Sequence, residues 1–335
     1  MKKMKAILVK SPGGVEQLTL GSCPTPQPDD DQLLVKVHAT ALNRADLMQR
    51  KGQYPPPQCA SEILGLEAAG SVVKVGANCS GWQEGDRVFA LLPGGGYAEY
   101  AAIPGNMAMR IPERLSFEEA AAIPEVFLTA FQALCWLGRL QSGECVLIHA
   151  GASGVGTAAI QLVREAGATA FVTAGSALKL DFCLQLGAAL GINYKEDDFA
   201  AKVLEATDGG GVELILDFIG APYWQQNLDS LAVDGRLVSL ALLGGHQLQE
   251  ASLRPILVKR LQIIGSTLRA RTEDYKARLT ADFTQNVLPG FGDGRYKPII
   301  DSIFPWQEVQ EAHRRMEENK NIGKIVLRMA EAVKP

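Results

Sequence analysis

The chain has 335 residues, 47% hydrophobic and 21% charged, the balance of a soluble globular protein too long for one ordinary core. A net charge of −4 leaves no general nucleic-acid footprint, and no run of about 18 apolar residues is available to span a membrane. Six cysteines (Cys23, Cys59, Cys79, Cys135, Cys145, Cys183) contain no C-x-x-C pair, and the four histidines lie far apart. The thiols therefore read as buried or incidental rather than a disulfide frame, with little material for a metal site.

The opening segment sets basic residues around Ala6-Ile7-Leu8-Val9. Four apolar residues are too few for a signal-peptide core, so it reads as an opening strand, and the cytoplasm is the expected location. Up to about residue 100 the pattern is one of short β segments broken by turns. Residues 33–38 alternate weakly, residues 69–75 are β-rich, and residues 87–92 follow the turn Glu84-Gly85-Asp86. Pro55-Pro56-Pro57 and Gly94-Gly95-Gly96 mark loops, so this half reads as an irregular, mostly β domain.

From about residue 125 the rhythm changes. Residues 145–149 form a short apolar strand. Val155, Ala158, Ala159, Leu162, Val163 and Ala166 then fall on one face of a helix. Strand-like segments follow at 169–173, 191–194, 212–217, 237–242 and 263–267, with helical ones at 178–186, stopped by Gly187, and 199–207. Strands alternating with helices predict a doubly wound parallel sheet. The basic stretch 254–278 also carries Glu273 and Asp274 and reads as a solvated face. The last helix and strand, 308–318 and 325–327, do not belong to that sheet and are expected to return to the first domain.

Between the first strand of the alternating region and its helix lies Gly151-Ala152-Ser153-Gly154-Val155-Gly156, a G-x-G-x-x-G pattern with Ser153 at the middle glycine. Gly151 suits the tight turn, Gly156 suits close helix–strand packing, and the helix N-terminus faces a pyrophosphate. The pattern alone is weak; its place between a strand and an amphipathic helix makes it a dinucleotide site. At the end of the second strand an NAD site carries an acid for the ribose 2′-OH, yet no acid occurs between Glu165 and Asp181. Gly175 and Ser176 leave room and backbone donors there, and Lys179 adds positive charge, a combination suited to the 2′-phosphate of NADPH.

The phrases Ala41 through Arg50, Leu91 through Gly96, Ile148 through Ala159 and Asn319 through Val326 resemble the quinone oxidoreductase branch of the medium-chain dehydrogenase/reductase superfamily, and the likeness runs nearly end to end. The resemblance implies an α/β protein with a Rossmann domain at 125–266 and a mostly β, GroES-like catalytic domain formed by 1–124 and 267–335, its active site in the cleft between them. It implies a homodimer that acts on a quinone or enone. Zinc-dependent members hold their metal with a Cys and a His at positions that read Asn43 and Leu66 here, so no metal is expected. Asn43 and Tyr54 are carried over to the catalytic cleft. Tyr54 is expected to polarise the acceptor oxygen or deliver a proton, with packing of its ring as the plain alternative. A second cleft tyrosine of some relatives is Met48 here.

For the cofactor, the resemblance adds Thr129 near the nicotinamide ribose, Tyr194 beside the 2′-phosphate, and Gly244 and Gly245 where backbone approaches the nicotinamide. A phosphate-binding arginine of some relatives is Asn319 here, with Lys324 nearby in sequence. His149 reads as a strand residue tucked near the turn. Two rival readings stand beside NADPH-dependent quinone reduction: alkenal or enone reduction with the same cofactor, and a cofactor-binding regulatory protein with incidental turnover.

Overall fold

A computed structural model describes residues 2–58 and 60–329, so Cys59 lies outside the described residues. The chain divides into two compact units, Met1–Leu128 with Arg269–Pro335, and Thr129–Leu268.

The first unit opens with an antiparallel hairpin of Lys3–Val9 (β1) and Leu18–Pro24 (β2). Its main sheet begins with Gln32–Ala41 (β3), Glu67–Val75 (β4), Arg87–Leu91 (β5), Tyr100–Pro104 (β6) and Met109–Arg110 (β7). In β3, Leu33, Val35 and Val37 are buried while their neighbours are partly exposed, the period of a half-buried strand. Alternation stops at Ala39, Thr40 and Ala41, all buried, which is why the strand runs past the predicted 33–38.

The second unit is a six-stranded parallel sheet of Cys145–Ile148 (β8), Thr169–Ala174 (β9), Leu190–Asn193 (β10), Val212–Asp217 (β11), Leu231–Ser239 (β12) and Gln262–Gly265 (β13). The order β10-β9-β8-β11-β12-β13 reverses between β8 and β11, the mark of a doubly wound Rossmann sheet. Leu214, Ile215 and Leu216 are all buried, as a strand covered on both faces requires. The helix Ala177–Leu186 ends at Gly187, whose φ of 116° suits glycine.

The predicted strand 237–242 is displaced. β12 starts at Leu231, because the polar Asp234-Gly235-Arg236 step hides its first half from a hydrophobic reading. It stops at Ser239, opposite the last residue of β13, and Leu242 and Leu243 are left more than half exposed.

The chain then re-enters the first unit. The helices Glu273–Asn286 and Pro289–Asp293 precede Ile300–Pro305 (β14), and Val309–Glu317 precedes Lys324–Arg328 (β15). β15 pairs antiparallel with β3 and parallel with β14, giving the order β14-β15-β3-β4-β5-β7 with β6 also on β3. In the helix Val309–Glu317, Val309, Ala312, His313 and Met316 are buried at helical spacing. The fully buried Arg50 bonds the carbonyl of Gly13, His313 Nδ1 at 3.1 Å and Glu317 at 2.5 Å, tying that helix to Arg44–Arg50. Burial and the Arg50 charge push His313 down to about 3, so it is a neutral link at neutral pH.

Candidate functional site

In the second unit the sheet's carboxyl end gathers the glycine-rich turn. Gly151 leaves β8 with its N–H donating to the Thr173 carbonyl, and a Cβ there would lie 2.7 Å from Val172 Cβ. A Cβ on Gly156 would lie 2.5 Å from the carbonyl oxygens of Ala150 and Gly151, so both positions demand glycine. Ser153 is the N-cap of the helix Gly154–Glu165, and its hydroxyl accepts from the Gly156 N–H at 3.0 Å. Val155 lies in the first turn, where the helix N-terminus presents orphan donors to an anion.

The end of β9 holds the small residues expected to discriminate cofactors. Gly175 lies against Tyr194: a Cβ there would sit 2.7 Å from the tyrosine hydroxyl and 3.0 Å from Lys195 Cε. Ser176 caps the helix Ala177–Leu186, and Lys179 lies in its first turn, half-buried. The structure thus gathers Gly175, Tyr194 and Lys195. Lys195 was missed because nothing local in Asn193-Tyr194-Lys195 distinguishes it from a solvated lysine. Tyr194 is 43% exposed and meets the Tyr223 ring edge-on, with centroids 6.1 Å apart.

The loops after β11 and β12 interlock at the same end of the sheet. Asp217 accepts from the N–H groups of Ile219 and Gly220, Gly244 donates to the Ile219 carbonyl, and Ala221 donates to the Gly245 carbonyl. Gly245 takes a φ of 125°. Thr129 is half-buried on the helix Pro124–Phe131. His149 is fully buried, with Nδ1 at 3.0 Å from the Thr173 hydroxyl and Nε2 at 2.7 Å from Asn227 Oδ1. Burial pushes it down to about 4, which leaves a neutral packing histidine.

In the first unit a dense polar lattice surrounds Asn43, the N-cap of the helix Arg44–Arg50. Its amide donates to Glu67 Oε1 at 2.8 Å, and its oxygen accepts from Lys324 Nζ at 2.6 Å. Lys324 also donates to the Leu42 carbonyl at 2.6 Å and pairs with Glu67 at 2.7 Å. All three donors of the ammonium are in use, so Lys324 does not stand in for an arginine at 319. That position is reached by another side chain: Arg44 donates to Asn319 Oδ1 at 2.7 Å. Asp46 accepts from the N–H groups of Asn43 and Gly65 and is pushed up to about 6, chiefly by burial.

Beside this lattice, Tyr54 lies under the Arg269 guanidinium, 5.3 Å from ring centre to cation. Its hydroxyl makes no hydrogen bond among the described residues, and burial first, then Glu125, raises its pKa against the pull of Arg269. Glu125 opens the helix Pro124–Phe131, and its N–H donates to Glu67 Oε2 at 2.9 Å. Its own carboxyl is pushed up to about 8 by burial and by Glu67. Gln49, Arg269 and Glu125 escaped the sequence reading, since neither a lone Arg near residue 270 nor a Glu after Ile-Pro carries a local signal.

Comparison with known proteins identifies the family. An alcohol dehydrogenase GroES-like domain matches residues 29–113, and the family described as zinc-binding dehydrogenase matches residues 154–284. Human quinone oxidoreductase is similar at 33% identity, covering 97% of this chain and 98% of that protein. The chain belongs to the quinone oxidoreductase branch of the medium-chain dehydrogenase/reductase superfamily. Among solved structures, the JamJ enoyl reductase is 27% identical with a TM-score of 0.87, covering 98% of this chain and 100% of that one. A mycobacterial protein complexed with NADPH is 28% identical with a TM-score of 0.86, covering 97% and 100%. This branch member is an oxidoreductase with a nicotinamide-dependent fold.

The residues present do not fit the zinc that one matched family is named for. Leu66 is buried and has no donor atom, Asn43 is engaged at both ends of its amide, and the Lys324 ammonium already sits among the oxygens of Asn43, Glu67 and Leu42. Among the described residues no three His, Cys, Asp or Glu side chains gather as a metal site needs, and no helix is long and apolar enough to cross a membrane.

Proposed function

We propose that this chain is a cytoplasmic, zinc-independent NADPH:quinone reductase. The observation that supports the cofactor choice is the end of β9, where Gly175, Tyr194 and Lys195 stand together and Lys179 lies one turn on, with no acid between Glu165 and Asp181 in the sequence. Gly151, Gly154, Val155 and Gly156 would receive the pyrophosphate, with the Ser153 hydroxyl at the same helix end. Ser176, Lys179 and Tyr194 would hold the 2′-phosphate. Thr129, Gly244 and Gly245 would meet the nicotinamide end, and Asn319 would act only through the Arg44 guanidinium. NADPH, when bound, supplies the hydride.

With no Lewis acid, the acceptor must take hydride readily, as a quinone does because reduction restores its aromaticity. Tyr54 offers a hydroxyl with no partner among the described residues, the property of a group that orients or protonates an acceptor oxygen. Asn43 holds Lys324 and Glu67 in register, so its contribution is positioning. The likeness to an enoyl reductase favours a second reading, NADPH-dependent enone reduction in the same site.

Fluorescence titration with NADPH and NADH, followed by a panel of quinones and enones in chelator, tests the reading. Preference for NADPH and faster turnover of quinones, unaffected by chelator, is expected. Preference for NADH, or a loss of turnover restored by zinc, overturns it. Tight NADPH binding with negligible turnover on every acceptor favours a regulatory protein.

The homodimer is proposed on β13, an edge strand of its sheet, with Leu253, Leu257 and Val258 nearby at 72%, 80% and 62% exposure. Sedimentation should give twice the chain mass, and Leu257→Glu should shift it toward the monomer.

A further inference from the structure

Gly175 follows β9, at the point where an NAD site carries the acid that holds its ribose. β10 pairs parallel with β9 and sets Asn193 opposite Ala174, so the next residues, Tyr194 and Gly175, stand side by side at the carboxyl end of the sheet. The Tyr194 N–H continues the pairing, donating to the Ala174 carbonyl at 3.3 Å. The space beside Gly175 is filled from the neighbouring strand. A Cβ there would lie 2.7 Å from the Tyr194 hydroxyl, 2.9 Å from its Cζ and 3.0 Å from Lys195 Cε. Gly175 is not in the left-handed region, so this contact, rather than its backbone, is what disfavours a side chain.

Tyr194 is exposed but backed by packed rings. The Tyr223 ring meets it edge-on at 6.1 Å and itself lies 4.8 Å from the buried His149 and 4.9 Å from the buried Phe199. Lys195 is also exposed, and its ammonium pairs with none of Glu196, Asp197 and Asp198, which follow it; Asp198 instead caps its own helix. The Ser176 hydroxyl makes no capping bond. An acid at position 175 would thus meet two obstacles, a ring in its space and an ammonium that would pair with it before any ribose hydroxyl could. A 2′-phosphate, arriving from solvent, meets neither.

We infer that Tyr194 and Lys195 form a lock on cofactor choice, the ring excluding the acid of an NAD site by volume and the lysine neutralising it by charge. This deepens the NADPH reading and rests on it. One consequence is that the single substitution Gly175→Asp does not convert the site to NADH.

The probes are 2′-phospho-ADP-ribose and ADP-ribose, which differ only in the 2′-phosphate and lack the nicotinamide. Their binding to the full chain is measured by calorimetry. Gly175→Ala, which adds only the Cβ, should displace the ring and weaken the phosphorylated probe about 10-fold, one charge-assisted hydrogen bond, with ADP-ribose unchanged. In a Tyr194→Ala background the same substitution should cost almost nothing, because the space is open. Gly175→Asp should weaken the phosphorylated probe further without tightening ADP-ribose. Adding Tyr194→Ala and Lys195→Ala should then tighten ADP-ribose about 10-fold over the wild type. If Gly175→Asp does not fold, the cycle of Gly175→Ala with Tyr194→Ala carries the test alone. ADP-ribose tightened by Gly175→Asp on its own, or a Gly175→Ala cost that is the same with and without Tyr194, overturns the lock while the NADPH reading stands. A wild type that binds both probes equally overturns the NADPH reading and the lock with it.

Discussion

Glu125→Gln should change how stability depends on pH. The Glu125 carboxyl is pushed up from 4.5 to about 8, first by burial and then by the Glu67 and Asp46 charges, with Lys324 and Arg269 opposing. In the unfolded chain it ionises near 4.5. Between about 4.5 and 8, therefore, the folded state holds a proton that the unfolded state has released. Linkage gives the sign: the contribution is fully present below the unfolded value and is lost as pH rises through the folded one. At about 1.4 kcal/mol per unit, the whole shift corresponds to somewhat under 5 kcal/mol. Glu125 keeps some solvent contact, so about 2–4 kcal/mol is expected at pH 8.5. Glutamine has the same shape, stays neutral and leaves the backbone bond to Glu67 intact. Urea unfolding followed by tryptophan fluorescence from pH 5 to 9 should show the two proteins within about 1 kcal/mol at the acid end, with the variant ahead by the stated amount at the alkaline end. A constant offset at every pH, or a wild type that gains on the variant as pH rises, refutes the reasoning.

Tyr54→Phe should lower quinone turnover roughly 100-fold with little change in NADPH affinity, as loss of an acid or orienting hydroxyl predicts. An unchanged rate where chemistry limits turnover would leave Tyr54 as packing for Arg269. Lys179→Ala should weaken NADPH about 10-fold and leave NADH nearly untouched, less so at high salt. Because Lys195 lies beside Gly175, the double variant with Lys195→Ala should lose more, and equal losses for both cofactors would mean damage to the fold. Lys324→Met should cost about 3–5 kcal/mol by leaving buried Glu67 unpaired, and adding Glu67→Gln should recover most of it. A single variant that unfolds at the wild-type urea concentration contradicts that account.

The Rossmann sheet was legible because its signals are local: apolar runs at β8 and β11, one helical face from Val155 to Val163, and Gly187 at a helix end. β12 was half missed because Asp234-Gly235-Arg236 looks like a turn, and its pairing with β11 and β13 prevails over that local preference. The helix Glu273–Asn286 was missed because only Lys276, Leu279, Thr280 and Phe283 face inward, and two of the four are polar. In the first unit, Asn43 and Tyr54 were singled out by resemblance. Their partners Lys324 and Arg269 lie 281 and about 215 residues away in sequence, and only the return of the chain brings them together.

That return also settles the charges around Asn43. Glu67 is fully buried and needs a cation. β15 supplies one by pairing with β3 and placing Lys324 against Asn43, so that charge is balanced by the chain itself. On the same unit, the segment that re-enters at Arg269 brings a further buried cation, bonded only to neutral oxygens. The distinction is physical rather than positional: the more fully a buried charge is satisfied from within, the less a substrate gains by meeting it.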